Sequence, residues 1–302
     1  MKNLYKNTEI FRCVHESHRY YKNKVSVYHI LKEKSCFPHG CVYFRWKCKQ
    51  LSKKAKCNRG YSHVGRKCSN CKDYYEEKIH NYPELQISKL EYENFMKELI
   101  KFEDWIEEWQ FKPIEFAGTV AEIKPHFRQK IYPKSKFLSF HGYIAILTPV
   151  FLGWQRFEDP VYAFISNKYL QKLRLGKGAE IEGIGEMAVD YGRLILRRTR
   201  NIEITREGEK FYWNEQKVLL SRETATEFRI QPETCVGCGF GALVDVEYLR
   251  DHHSHSRRTL FCLKGMADFR DCYIRTEYCS LDNEAEANPE FDCSEKKSII
   301  IR

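Results

Sequence analysis

Two pairs of cysteines are each separated by two residues. They are Cys68-Ser-Asn-Cys71 and Cys235-Val-Gly-Cys238. This spacing lets two thiolates reach one tetrahedral ion while backbone N–H groups of the turn point at the sulfurs. Each pair therefore predicts half of a metal site, and a chain with 13 cysteines has thiols to complete both.

The remaining ligands of the N-terminal site are left open by the spacing. The candidates are Cys36, Cys41, Cys48 and Cys57, with His63 as an alternative to a fourth thiolate. Four thiolates, or three with one imidazole, make a closed structural zinc site. Leftover cysteines could hold a second ion together with Cys13, His15, His18 and His39, although Cys13 is equally consistent with a buried free thiol.

The C-terminal pair is similar to a zinc-ribbon knuckle, because Gly239 follows the second cysteine where a tight turn needs unhindered backbone. The second half of the ribbon pattern is missing, and Cys262, Cys272 and Cys279 compete for two positions. We expect Cys262 and Cys272 to complete the set. Four cysteines also suit an iron–sulfur cluster, but zinc is favoured because no dense C-x2-C-x2-C run occurs.

One segment between these cysteines suggests catalysis. Residues 251–258, Asp-His-His-Ser-His-Ser-Arg-Arg, have the residue types of a metal-dependent phosphodiesterase. No HExxH motif or carboxylate cluster supports it, so a solvated loop is the favoured interpretation. Phosphate-binding and nucleophile-elbow motifs are also missing from the sequence. We therefore predict no catalytic residue and expect a protein that is not an enzyme.

Positive charge is concentrated near the N-terminus. The chain carries +10 in all, but residues 1–80 hold 19 basic and 6 acidic side chains, and residues 41–72 hold ten basic ones and no acid. Aromatic residues alternate with these cations, a combination that neutralises phosphates and stacks on bases. The predicted nucleic-acid contacts here are Arg45, Trp46, Lys47, Lys49, Lys53, Lys54 and Arg59.

A helix and a run of strands follow this basic segment. Phe95, Leu99, Phe102, Ile106 and Trp109 recur at helical spacing, and Ser88 with Glu91 forms a capping-box pattern. Residues 113–206 then alternate as three strands, a short helix and two strands. With glycines at 118 and 142 and the run LGKGAEIEGIGE, this order resembles an OB-fold barrel. The fold class expected is therefore mainly β with α: a five-stranded OB-like barrel between two Cys-rich metal-binding modules.

The resemblance to OB folds implies a binding face on the second and third strands. On the second strand, His141 and Tyr143 point outward if Phe140, Gly142, Ile144 and Ile146 point inward. On the third strand, Tyr162 and Phe164 point outward if Val161, Ala163 and Ile165 point inward. Aromatic rings there would stack on bases, with arginines tracking the backbone. The predicted contacts are Arg128, Tyr143, Trp154, Tyr162, Phe164, Arg197 and Arg198.

These patterns divide the chain into four parts: a basic Cys-rich zinc module (1–80), an acidic linking helix (81–112), the barrel (113–206), and a second Cys-rich zinc module with an acidic tail (207–302). No 18-residue apolar run or signal-peptide core occurs, so we expect a cytoplasmic protein without membrane contact.

The predicted function is binding of single-stranded or structured DNA or RNA, with zinc in a structural role. Two alternatives remain open. One is a metal- or iron–sulfur-dependent nucleic-acid-processing enzyme. The other is an assembly subunit that binds protein through the acidic helix or tail.

Overall fold

The computed structural model describes residues 1–21, 23–209, 212–228, 230–250 and 253–274. It is mainly β, with 42% strand and 26% helix, so the predicted class of mainly β with α is confirmed at that level. Among the described residues no helix is both long and apolar enough to cross a membrane.

Fourteen strands are described. In chain order they are β1 (Phe11–Arg12), β2 (Lys24–Val25), β3 (Cys41–Cys48), β4 (Tyr74–Asn81), β5 (Glu84–Leu85), β6 (Pro113–Ile131), β7 (Lys136–Leu152), β8 (Gln155–Phe157), β9 (Val161–Ile165), β10 (Glu180–Asp190), β11 (Arg193–Arg206), β12 (Thr226–Phe228), β13 (Gly241–Arg250) and β14 (His253–Cys262).

Five α-helices accompany them. These are α1 (Lys49–Ser52), α2 (Lys89–Trp109), α3 (Asn167–Leu173), α4 (Glu215–Thr224) and α5 (Glu233–Gly237). Short helical turns of other kinds span Leu4–Lys6, Glu16–Tyr21, His29–Glu33, Arg66–Cys68 and Phe269–Asp271.

Five long or central strands are hydrogen-bonded in a closed ring. Strand β6 pairs antiparallel with both β7 and β10, and β10 pairs antiparallel with β11. Strand β9 closes the ring, because it pairs in parallel with β11 and antiparallel with β7. Strand β13 continues the sheet beyond β6 by pairing in parallel with residues 128–131 of β6. Strand β14 pairs antiparallel with β13, and β12 pairs antiparallel with β14. The ring and this C-terminal extension therefore share strand β6.

A bulge at Gly142 sets which side chains of β7 face the core. Gly142 has φ +105°, and a Cβ there would lie 2.7 Å from the Ile165 carbonyl oxygen. The register with β6 shifts by one residue across this point, which turns the following side chains to the opposite face. Tyr143 is consequently only 1% exposed. The predicted outward position of Tyr143 was wrong, because strict alternation ignores the extra residue.

Helix α2 begins with the expected capping box. The Ser88 hydroxyl accepts from the Glu91 N–H, and the Glu91 carboxylate accepts from the Ser88 N–H. The helix packs between the N-terminal segment and the ring: Phe102 contacts Tyr5 at 5.1 Å between ring centroids, and Trp105 contacts Phe157 at 5.2 Å. One continuous core therefore joins residues near the N-terminus to the ring.

Strands β3 and β4 form a separate two-stranded hairpin. Residues 49–73 connect its strands and include α1 and the Cys68–Cys71 turn. On β3 the side chains of Val42, Phe44 and Trp46 are exposed in alternation, at 48%, 57% and 45%. This hairpin thus presents an apolar stripe beside the basic segment.

Candidate functional site

A groove of about 190 Å³ crosses one face of the ring. Its floor and walls come from β6, β7, β9 and β11, and the start of β13 closes one side. A single buried water needs roughly 10–15 Å³, so the groove has room for a group much larger than a water molecule.

Four of the predicted contacts line this groove together: Arg128, Tyr162, Phe164 and Arg197. On β9, Val161, Ala163 and Ile165 are buried and the two rings between them are partly exposed, as the alternation predicts. Ile144 and Ile146, which we expected to point inward, also line the groove because of the Gly142 bulge.

Each groove ring has a cationic or aromatic neighbour. The Arg193 guanidinium carbon lies 5.0 Å from the Tyr162 ring centroid, and the His126 ring lies 4.8 Å from that of Phe164. Burial lowers the pKa of His126 to about 4, with Arg128 acting in the same direction, so the imidazole is neutral at pH 7. Both rings are therefore held in place before any ligand binds.

Arg258 forms ion pairs with both carboxylates of the groove lining. It contacts Asp190 at 2.7 and 3.2 Å and Asp245 at 2.8 Å. Burial alone would lower the pKa of Arg258, but hydrogen bonds to these aspartates outweigh it and raise the pKa above its ordinary value. The lining also contains Lys124, Arg128, Arg193 and Arg197, so its net charge is positive.

Lys124 joins the groove to the Cys235–Cys238 turn. Its Nζ donates to the carbonyl oxygens of Val236 (2.7 Å), Cys238 (2.7 Å) and Gly241 (3.0 Å). Burial lowers the pKa of this lysine to about 8. Sequence reasoning missed Lys124 and Arg193, and it considered Arg258 only within the segment 251–258, because the partners of all three residues lie far along the chain.

Four cysteines, the C-terminal thiol cluster, converge beside this turn. Cys235, Cys238, Cys262 and Cys272 line a cavity of about 20 Å³. The Phe240 N–H donates to Cys238 Sγ at 3.4 Å. Burial raises the pKa of Cys235 to about 11, and the other three thiols add to the rise. Cys279, the competing ligand, lies outside the described residues.

A second set, the N-terminal thiol cluster, lies at the far end of the β3–β4 hairpin. Cys48, Cys57, Cys68 and Cys71 line a cavity of about 10 Å³ together with His63. The Arg59 N–H donates to Cys57 Sγ at 3.4 Å, and this backbone donor, with that of Tyr61, lowers the pKa of Cys57.

The structure separates Cys36 and Cys41 from this cluster. Cys41 begins β3 and Cys48 ends it, which places them roughly 23 Å apart along the strand. The described cysteines form no disulfide. Within the described part of the chain, no group of three or more His, Cys, Asp or Glu side chains has an arrangement that could hold a metal ion as it stands.

The predicted contacts of the basic segment differ in their partners. Arg45 lies 3.2 Å from a Glu16 carboxylate oxygen, and Lys47 lies 3.6 Å from one of Glu77. Trp46 is exposed on the opposite face of β3. The cations of the connecting segment are exposed and form no ion pair with any carboxylate that the structure describes: Lys49, Lys53, Lys54, Lys56, Arg59, Arg66, Lys67 and Lys72.

Besides the buried Tyr143, two predicted contacts of residues 113–206 lie outside the groove lining. Trp154 is 98% exposed in the turn between β7 and β8. Arg198 lies on β11 and forms an ion pair with Glu186 at 2.9 Å. Neither residue shares the surface that Tyr162 and Phe164 form.

The histidine-rich segment is only partly described. Asp251 and His252 lie outside the described residues, and residues 253–262 form β14. Its two arginines are engaged: Arg257 pairs with Glu227, and Arg258 pairs with the aspartates of the groove. The phosphodiesterase interpretation needs these arginines to face a phosphate, and their ion pairs weaken it.

Comparison of the chain with models of known protein families, with curated proteins and with solved structures finds no match.

Proposed function

We propose that the protein binds single-stranded or structured nucleic acid across the groove. The observation that carries the proposal is the pair of rings, Tyr162 and Phe164, which are pre-positioned two residues apart on β9 among arginines. Bases stack on such rings regardless of sequence, and arginines neutralise the phosphates between them.

The connectivity of the ring supports an OB-type barrel. In an OB fold, five strands close in Greek-key order, and the ligand lies on the second and third strands. Counting from β6, the second and third ring strands are β7 and β9, and these carry Ile144, Ile146, Tyr162 and Phe164 of the groove. We propose on this basis that residues 113–206 form such a barrel.

The basic segment supplies a second contact in this proposal. The eight exposed cations of the segment that connects β3 to β4 form no ion pair with any carboxylate among the described residues. Unpaired cations release counterions when they meet phosphates, whereas cations already paired with carboxylates contribute less. Lys49, Lys53, Lys54 and Arg59 are therefore favoured over Arg45 and Lys47 as phosphate contacts.

We also propose that each four-cysteine cluster holds one structural Zn²⁺. Zinc is preferred to an iron–sulfur cluster because no dense C-x2-C-x2-C run occurs in the sequence. In both clusters a backbone N–H donates to a cysteine sulfur, which is the outer-shell contact expected around a thiolate ligand. Zinc binding would require these side chains to change position, since as they stand no described group of three or more His, Cys, Asp or Glu side chains could hold an ion.

The test measures binding of a fluorescent single-stranded DNA or RNA oligonucleotide to the full chain by anisotropy. Tyr162→Leu keeps apolar volume but removes the stacking ring, so affinity should fall roughly 5- to 150-fold, the equivalent of 1–3 kcal/mol per base. Phe151→Leu is the matched control, because Phe151 is a ring on β7 that is 46% exposed and does not line the groove.

Salt dependence provides a second readout. If at least six cations contact phosphates of the single strand, affinity should fall at least about 300-fold between roughly 50 and 200 mM salt. Equal affinities of the Tyr162→Leu and Phe151→Leu variants would refute the groove as the binding site. Binding that is insensitive to salt, or detected only with a polypeptide partner, would refute the function.

A further inference from the structure

Arg193 lines the groove without a carboxylate partner. Its guanidinium lies over the Tyr162 ring, with the central carbon 5.0 Å from the ring centroid. Asp190, which is opposite Arg193 in the β10–β11 hairpin, accepts from Arg258 with both carboxylate oxygens instead. Among the residues that the structure describes, no hydrogen bond or ion pair involves the Arg193 guanidinium. Its N–H groups are therefore free to donate to a ligand.

Burial makes this unpaired cation unfavourable in the empty groove. Removal from water lowers the pKa of Arg193, and the charge of Arg258 acts in the same direction. Lys6 and Lys124 are also close enough for Arg193 to lower their pKa values. Both lysine ammonium groups donate to backbone carbonyl oxygens, whereas Arg193 has no such acceptor among the described residues. An anion bound at Arg193 would offset the cost of burying its charge.

The pairing of β11 with β9 places this cation beside the groove rings. The two strands are parallel, with Ile195 opposite Tyr162. Arg193 and Arg197 lie two residues before and after Ile195, and all three line the groove. The two arginines are therefore about 13 Å apart along β11, which lies about 5 Å from β9. A row of cations thus runs parallel to the row of rings.

The opposite flank of the rings is apolar. Strand β7 places Ile146 opposite Tyr162 and Ile144 opposite Phe164. Both isoleucines line the groove. Bases are bound by aromatic and apolar side chains, whereas phosphates are bound by cations. The groove therefore has a direction across its width, from an apolar flank at β7 to a cationic flank at β11.

We propose that a bound single strand places its bases over β9 and β7 and its phosphates along β11, where Arg193 binds the phosphate of the nucleotide stacked on Tyr162. The face of the guanidinium stays on the Tyr162 ring, while the N–H groups at its edge donate to two phosphate oxygens. This inference rests on the proposed nucleic-acid binding, and it assigns the phosphate subsite within that groove.

The salt dependence of oligonucleotide binding to the full chain tests the subsite. Each phosphate contact with a single strand adds about 0.7 to the slope of log affinity against log salt concentration. Arg193→Gln should therefore flatten the slope by about 0.7 and lower the affinity about 10- to 100-fold at roughly 100 mM salt. Arg198→Gln is the matched control on β11, because Arg198 is exposed, lies outside the groove lining and pairs with Glu186. It should bind like the wild-type protein.

Two outcomes would overturn the subsite while leaving nucleic-acid binding intact. One is an Arg193→Gln variant with the slope and affinity of the wild type. The other is a loss of slope confined to Arg128→Gln, which would place the phosphates along β6.

Inorganic phosphate tests the same subsite without nucleic acid. Phosphate should raise the Tm of the wild type more than that of Arg193→Gln, each compared with chloride at equal ionic strength. In chloride, Arg193→Gln should melt at the wild-type temperature or above it, because glutamine removes a desolvated cation that has no carboxylate partner. Equal phosphate shifts, or a lower Tm of Arg193→Gln in chloride, would overturn the subsite. A wild-type protein that responds to phosphate through Arg193 but binds no oligonucleotide would refute the proposed function and leave Arg193 as a site for a smaller phosphate compound.

Discussion

Replacing Lys124 by methionine should destabilise the protein, because the lysine holds the Cys235–Cys238 turn against β6. Its ammonium makes three hydrogen bonds to carbonyl oxygens. Hydrogen bonds to a charged group contribute about 1.5–3 kcal/mol each. Burial opposes this gain: a pKa lowered from 10.5 to about 8 corresponds to a cost of about 3 kcal/mol, which methionine does not incur. The expected net loss is roughly 1–6 kcal/mol.

Urea unfolding followed by circular dichroism and by tryptophan fluorescence measures this loss. Trp213 reports locally, because its indole N–H donates to the Ile123 carbonyl and its ring packs 5.8 Å from Phe240, next to the turn. Lys130→Met is the matched control on the same strand, where the side chain is exposed. If both variants have free energies of unfolding within about 0.5 kcal/mol of each other, the assignment of Lys124 as a structural anchor is refuted.

Two further predictions concern Gly241 and Lys6. Gly241→Ala should lower the free energy of unfolding, measured by heat or urea, by at least about 2 kcal/mol, because the new Cβ would lie 1.6 Å from the Cys235 carbonyl oxygen. Gly237→Ala is the control and should be neutral, because its Cβ meets no atom within 4 Å. Equal stabilities of the two variants would contradict the prediction. Burial lowers the pKa of Lys6 from 10.5 to about 7 in the folded protein. Between these two pH values the unfolded state binds more protons than the folded state, so the free energy of unfolding should rise with pH. Relative to Lys6→Met, the wild-type protein should gain up to about 2 kcal/mol from pH 7 to 9, and parallel pH curves would exclude the effect.

Local patterns predicted the elements well where one periodicity ran unbroken. The capping box and apolar spacing of α2 correspond to the helix Lys89–Trp109, and the alternation of β9 places Tyr162 and Phe164 on one face. These predictions depend only on neighbours within a few residues. The bulge at Gly142 breaks that condition, which is why Tyr143 was assigned to the wrong face.

The site itself was predicted in part. Sequence spacing nominated the cysteines, but only the fold separates Cys41 from the N-terminal thiol cluster at the other end of β3. The sequence also nominated cations by composition, but it did not show which of them form ion pairs with carboxylates. Arg45 and Lys47 look like their neighbours in sequence, yet their carboxylate partners come from other segments. Pairings of this kind are set by tertiary contacts.

Strand β6 is shared by two neighbours on the same side: its first part pairs with β10, and residues 128–131 pair with β13. A fragment that stops at residue 206 would lack β13 and leave that stretch of β6 without its partner. An unpaired edge is a template for association with another chain. Truncation at residue 206, the boundary predicted from sequence, would therefore expose a strand edge that can pair with another chain. A binding study of the isolated fragment would have to separate self-association from ligand binding.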